Sequence, residues 1–313
     1  TIEQDRDRKM TIMTTGFIPC GAKMPIIGLF AGAVFGDSPW VATSAFFIGI
    51  AAVVISGIML KKFKAFAGEP APFVMELPTY HAPSMGNVLR ATWERGWSFI
   101  KRAGTIILLS SIILWFLQGY GFVDGVFTAV EDNNDSLLAA IGSAISWIFY
   151  PLGWMGDMAW KATVATITGL IAKEEVVNTF GVLYHYAGSA DLLEDSHDIW
   201  AAIGADFGAM SAYSFMIFNL LCAPCFAAMG AIKREMNNPK WTLAAIGYMC
   251  LFAYISSMIV FQLGGLITGE AVFGIGTIAA VVLLAGIVYL LVRRGYRPEE
   301  TSHPLANAAA ARS

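Results

Sequence analysis

The chain has 313 residues, of which 57% are hydrophobic and only 14% charged, with a mean hydropathy of +0.62. Soluble domains carry about 25% charged residues, so this composition excludes a water-soluble domain and makes lipid the solvent. The net charge of −3 is divided among segregated blocks with no basic face, which excludes a nucleic-acid partner.

In chain order, residues 1–10 (TIEQDRDRKM) are polar and of mixed charge. The chain opens on Thr1 without a signal peptide and is expected to be a piece of a longer protein. Apolar runs at Thr11–Phe35 and Trp40–Leu60, split by Gly36-Asp37-Ser38-Pro39, predict a helical hairpin. A basic segment follows at Lys61–Arg102, with a Pro-rich first half. Its second half, Ser84–Lys101, spaces Val88, Leu89, Trp93, Trp97 and Ile100 as an interfacial amphipathic helix does. Further apolar runs are Ala103–Gly119, Leu137–Met155, Ala162–Tyr184, Phe207–Gly230, Trp241–Leu263 and Val272–Val292. About 20 residues at about 1.5 Å each cross a core of about 30 Å, so the expected fold is an all-α, polytopic transmembrane bundle of about eight spans.

Charge supports an even number of crossings. Tyr120–Ser136 holds Asp124, Glu131, Asp132 and Asp135 without a base, and His185–Asp206 holds Asp191, Glu194, Asp195 and Asp198 without Lys or Arg. Lys233, Arg234 and Lys240, then Arg293, Arg294 and Arg297, fall on the opposite side. The positive-inside rule then puts both termini in the cytoplasm. Leu137–Met155 is the weakest span, broken by Pro151-Leu152-Gly153. A re-entrant hairpin there is the alternative, and it would move the acidic loop to the other side. A faint internal repeat also shows, Ile2, Thr11 and Gly16 being echoed by Ile232, Thr242 and Gly247. Such repeats are common in transporters, whose sites lie on interrupted helices where repeats meet.

Three motifs place chemistry inside these runs. Lys173-Glu174-Glu175 falls at the middle of Ala162–Tyr184, with Glu174 and Asn178 on one face at i, i+4. Charge at that depth costs about 2.5–3.5 kcal/mol per residue on insertion scales, so these groups need partners, water or a bound cation. A self-neutralising Lys–Glu pair is the structural alternative. In Pro19-Cys20-Gly21-Ala22-Lys23-Met24-Pro25, the two prolines lack an N–H and free the carbonyls of Thr15 and Gly21. An unwound segment is tolerated at membrane depth only against protein or water. In Asn219-Leu220-Leu221-Cys222-Ala223-Pro224-Cys225, two thiols stand at i, i+3 and Pro224 frees the Leu220 carbonyl. Thiolate and amide suit a soft or borderline metal such as Fe(II), Zn(II) or Cu(I). A structural zinc site needs four such ligands, and no second pair stands nearby, which favours a transient transport site.

The cysteines Cys20, Cys222, Cys225 and Cys250 all lie in apolar runs and are expected as free thiols, with Cys250 a packing residue. His81, His185 and His197 read as surface residues, and Trp40, Trp115, Tyr120, Tyr184 and Trp241 as interface anchors. No Ser–His–Asp grouping, HExxH or G-x-x-x-x-G-K-[ST] motif occurs, so no enzyme chemistry and no nucleotide hydrolysis are expected of this chain.

These stretches together resemble the membrane part of the ferrous iron transport protein B (FeoB) family. The resemblance rests on Thr1–Arg8, Pro19–Pro25, Trp93–Ile107, Trp160–Ala165, Ala172-Lys173-Glu174, Pro224-Cys225, Ala231–Glu235 and Lys240-Trp241-Thr242. It implies a multi-pass Fe(II) importer of the bacterial inner membrane, with two gate repeats flanking a central region. By position it carries metal-ligand roles to Cys20, Cys225 and Glu174. Cys222, Glu175 and Asn178 join them on chemistry alone. The implied division is 1–60 for the remainder of the first gate repeat, 61–102 for a basic cytoplasmic linker and 103–206 for a central membrane region. Residues 207–292 would form the second gate repeat, and 293–313 a cytoplasmic tail. No permanently bound cofactor is implied: Fe(II) is the transported ion, and GTP would act only through an N-terminal GTPase domain outside this sequence. That domain, small cytoplasmic accessory proteins, lipid and a homo-oligomeric partner are the implied partners. The rival readings are a gate-fold carrier of nucleosides or other small solutes, and a non-transporting membrane scaffold or sensor.

Overall fold

A computed structural model describes residues 4–36, 38–66, 84–123, 126–130, 135–184 and 197–294. The helices are α1 (Asp5–Thr15), α2 (Met24–Phe35), α3 (Pro39–Lys61), α4 (Met85–Gly119), α5 (Leu137–Ser146) and α6 (Asp157–Ile171). They continue with α7 (Glu175–Leu183), α8 (His197–Asp206), α9 (Ala209–Leu221), α10 (Phe226–Met236), α11 (Pro239–Thr268) and α12 (Ile275–Val292). Short 3-10 turns occupy Gly21–Lys23 and Trp147–Leu152. A two-stranded hairpin, β1 (Tyr120–Val123) and β2 (Val126–Ala129), pairs Tyr120 opposite Ala129.

Helix ends follow local chemistry. Pro39 and Pro239 sit in first turns, where a missing N–H costs nothing. Gly36, Asn237 and Gly269 close α2, α10 and α11 in the left-handed conformation. The Glu270 carboxylate accepts the Met210 N–H at 3.0 and 3.1 Å and so caps the start of α9.

The chain is an all-α membrane bundle. Among the described residues α3, α11, α12 and the broken pair α9–α10 are long and apolar enough to cross a membrane, a smaller count than the eight spans expected. The expected amphipathic segment Ser84–Lys101 and span Ala103–Gly119 are fused in α4, a single helix of 35 residues. The repeat diverges in detail. Gly16 ends α1, with Pro19 three residues on, whereas Gly247 lies inside uninterrupted α11, which has no proline after Pro239.

Contacts define two ends of the bundle. Lys9 lies 4.8 Å over the Trp241 ring, Phe66 meets the same ring edge-on, and Lys62 donates to the Leu291 carbonyl. These gather the start of α1, the ends of α3 and α12 and the start of α11 at one basic end. At the other end Glu270 caps α9 and Lys161 pairs with Asp206 at 2.8 Å. Asp124, Glu131, Asp132, Asp191, Glu194, Asp195, Arg297, His81, His185 and the tail from 295 lie outside the described residues.

The main correction concerns residues 137–184. α6 and α7 form a helical hairpin in place of a straight span. Thr168 and Thr179 share a hydrogen bond of 2.8 Å, and Lys161 lies 4.4 Å over the Tyr184 ring. In a straight helix, 23 residues apart means about 34 Å. At the end of Leu137–Met155 the chain bends, α5 with Trp147–Leu152 meeting α6 at 100° in a broken span or a re-entrant loop. Gly153, at φ +89°, makes the corner, and a Cβ there would lie 2.2 Å from the Phe261 ring. The carbonyls exposed by this bend are taken by side chains of α9 and α11. Ser211 donates to Gly153, Ser214 to Leu152, Tyr254 to Ile148 and Gln262 to Pro151, at 2.7–3.0 Å. Irregular backbone buried in a membrane protein requires such partners. Below the bend, Phe30, Phe180, Phe207 and Phe215 pack with centroids 4.9–6.0 Å apart and join α2, α7 and α9 in the core.

Candidate functional site

Three helix interruptions meet inside the bundle. The chain leaves α1 at Gly16 and resumes at Gly21, with Cys20 extended (φ −104°, ψ 165°). It leaves α9 at Cys222 (ψ 174°) and enters α10 after Cys225 (ψ 162°). Between α6 and α7 the hairpin tip is Ala172-Lys173-Glu174, with Ala172 extended. Pro19 and Pro224 account for the first two breaks, since neither can continue a helical hydrogen-bond ladder. The third has no proline. At the tip, Glu175 N–H donates to the Ala172 carbonyl at 3.1 Å, and the Ala172 N–H reaches Thr168 only at 3.5 Å.

Two lysines tie the breaks together. Lys23, 3% exposed, donates to the Leu220 carbonyl at 2.6 Å and the Gly16 carbonyl at 3.1 Å. Lys173, 1% exposed, donates to the Cys222 sulfur at 3.0 Å. The Leu220 carbonyl freed by Pro224 is therefore used as a cation ligand. The other two expected free carbonyls are satisfied by turns, Thr15 by the Ile18 N–H and Gly21 by the Met24 N–H. No ion pair joins Lys23 or Lys173 to a carboxylate among the described residues. Two buried lysines whose partners among the described residues are carbonyls and a thiol are costly to hold in an apolar bundle.

The sulfur atoms gather around these cations. Lys23 lies within electrostatic reach of Cys222, Cys20 and Cys225. Cys222 is buried, Cys225 half-buried and Cys20 exposed, and all are free thiols. The i, i+3 helical face expected for Cys222 and Cys225 does not form. Both cysteines instead have extended backbone, in the irregular stretch between α9 and α10. Glu174 begins α7 with an exposed side chain, and Glu175 is half-buried and hydrogen-bonded to Asn178. These three stand on the hairpin beside Lys173, and no hydrogen bond joins them to a thiol. No set of three or more His, Cys, Asp or Glu side chains is arranged to hold a metal among the described residues.

Chain comparisons agree with this architecture. A family model described as "Ferrous iron transport protein B C terminus" matches residues 42–95, and a Gate model described as "Nucleoside recognition" matches 100–239. The Fe(2+) transporter FeoB of Methanocaldococcus jannaschii is 35% identical over 272 residues, covering 85% of this chain and 39% of that protein. The FeoB of Salmonella paratyphi A is 32% identical over 339 aligned positions (94% and 43%), and that of Staphylococcus aureus strain COL 33% over 268 (85% and 38%). The chain belongs to the FeoB family. It spans about two fifths of the length of the FeoB relatives it matches. No solved structure matches it. Along the chain, the Gate match includes the α6–α7 hairpin and the Cys222–Cys225 break. Cys20 and Lys23 precede both matched stretches.

Sequence reasoning missed two members of this cluster. Cys250 of α11 reads as filler, yet it lies within electrostatic reach of Cys222 and Lys173 beside the Ala223 backbone. No local signal marks it, because its neighbours Met249, Leu251 and Phe252 in α11 are apolar. Lys23 did carry a signal, as an ionisable residue between two prolines in an apolar run. The Asn219 amide is a further member. Its nitrogen donates to Thr166 and to the Phe215 carbonyl at 3.2 Å, which fixes its orientation, and its buried oxygen has no partner among the described residues.

Proposed function

We propose that this chain is the permease part of a ferrous iron transporter in a bacterial plasma membrane, and not an enzyme. The observation that carries the reading is the meeting of three helix breaks near Cys222, which Lys173 bonds, with Cys20 and Cys225 in reach of the second buried lysine, Lys23. Interrupted helices at the middle of a membrane protein supply what an ion needs on losing water: freed carbonyls, short-range polarity and a seam able to open. Sulfur suits Fe(II) better than it suits Mg(II) or Ca(II). In this reading Fe(II) passes Cys20, Cys222 and Cys225, with Glu174, Glu175 and Asn178 at the hairpin tip as oxygen ligands. The pathway lies where segments 1–60, 103–206 and 207–292 meet. Positive charge marks the cytoplasmic end, so both ends of this sequence face inward. GTP-driven control belongs to a separate nucleotide-binding part, and accessory proteins and further copies of the chain act from the cytoplasm and the membrane plane.

Fe(II) uptake into proteoliposomes tests this. Cys20→Ser, Cys225→Ser and Glu174→Gln, each at matched reconstitution, are expected to reduce the initial rate at least fivefold. Uptake equal to wild type in all three removes the site assignment. The Gate model's description favours one second reading, a nucleoside carrier. That reading requires nucleoside flux that survives loss of the thiols.

A further inference from the structure

The two buried lysines hold unlike partners. Lys23 bridges two carbonyls, Gly16 and Leu220, and so fixes the α1–α2 break to the end of α9. Among the described residues the Lys173 ammonium makes a single hydrogen bond, and it goes to sulfur. That bond joins the hairpin tip to the α9–α10 break. The tip's own backbone bonds are 3.1 Å (Glu175 to Ala172), 3.3 Å (Val176 to Lys173) and 3.5 Å (Ala172 to Thr168).

We propose that the Lys173 ammonium occupies the Cys222 sulfur as a resident cation, which a thiophilic divalent ion must displace, so that ion arrival releases the hairpin tip. This rests on the reading of Cys222 as an ion ligand. A divalent metal bonds thiolate sulfur at about 2.3 Å. An ion on Cys222 then lies close to an ammonium that stands 3.0 Å from the same sulfur. Two cations at such a separation repel strongly where water is excluded. Lys173 must leave, and Glu174 and Glu175 on the same tip offer it carboxylates. The exchange selects by chemistry. Fe(II) and other borderline ions compete for sulfur, whereas Mg(II) and Ca(II), which require several oxygens, do not. Lys173 is thus a positioning residue that couples occupancy of the site to the shape of the α6–α7 hairpin.

Cobalt(II) is the probe, because its bond to thiolate sulfur gives a charge-transfer absorption. The protein in detergent micelles is titrated with Co(II) and the band followed. Lys173→Met, which keeps the apolar stem and removes the competing charge, is expected to tighten cobalt binding at least tenfold. Lys173→Arg, which keeps a cation there, shows none of that gain, and Cys222→Ser removes the band. A lysine needed only for packing gives unchanged or weaker binding in Lys173→Met, which overturns the proposal. Wild-type protein lacking the band overturns it together with the ion-site reading, whereas a normal wild-type band with no gain in Lys173→Met overturns the displacement alone. If Lys173→Met fails to fold, reductive methylation of the unsubstituted protein reads the same event. Modification at Lys173 is expected to rise at least threefold with Co(II) and not with Mg(II), and equal modification in both overturns displacement.

Discussion

At the scale of single residues, the site depends on close approach between α6 and α7. Gly169 faces Val176 so closely that an added Cβ would lie 2.4 Å from its Cγ2, and 3.9 Å from both the Asn219 oxygen and the Lys173 stem. Valine is stiff at χ1 and cannot swing clear. Gly169→Ala is therefore expected to force the hairpin open and destabilise the protein by about 1–3 kcal/mol, as overpacked cores do. Adding Val176→Ala should recover part of the loss. Thermal unfolding of the two variants in micelles checks this, and an unshifted midpoint for Gly169→Ala would show that the helices are not in contact there. Lys173 was legible as an anomaly, a cation in an apolar run. Its partner was not, because Cys222 is 49 residues further on and no local pattern links them.

Interruptions are the property of the elements that matters most, and two of the three were written in proline. Pro19 and Pro224 mark their breaks outright. The α6–α7 reversal leaves no comparable mark, since Ala162–Tyr184 has the length and composition of a simple span. The reversal is secured at its open end, where Asp206 of α8 accepts from Lys161 of α6 at 2.8 Å and from Tyr184 after α7 at 2.6 Å. Burial alone would raise the Asp206 carboxyl, but the hydrogen bonds from Lys161 and Tyr184 and the Lys161 charge outweigh it and hold it below its ordinary value. A carboxyl depressed by folding contributes stability above its unfolded value of about 3.9 and loses it as pH falls through the lower folded value. The stability difference between wild type and Asp206→Asn is thus expected to be level from about pH 5 to 7 and to shrink below about pH 4. Chemical denaturation across that range measures it, and a difference that grew on acidification would refute the clamp.

For the whole molecule, the hairpin changes the path of the chain. The contacts of Lys161 and Tyr184 with Asp206 bring the start of α6 and the end of α7 to one end of the bundle. The start of α6 and the end of α7 should consequently face the same compartment. Asp157→Cys and Tyr184→Cys, each treated with a membrane-impermeant maleimide in oriented vesicles and located by mass spectrometry, are expected to label from one side. Labelling from opposite sides would restore a straight span.

Composition alone settled that this chain lives in lipid as helices, because an apolar run of membrane length has no soluble alternative. Proline settled that two of the helices are interrupted and roughly where, since its effect is local, whereas buried charge marked a site of chemistry without revealing the break beside it. Tertiary structure alone decided that the α6–α7 run turns back, that its tip meets Cys222, and that Lys23 and Cys250 join the same site. Those are contacts between residues far apart in the chain, and an apolar helix does not record in its own sequence which neighbour each of its faces will meet.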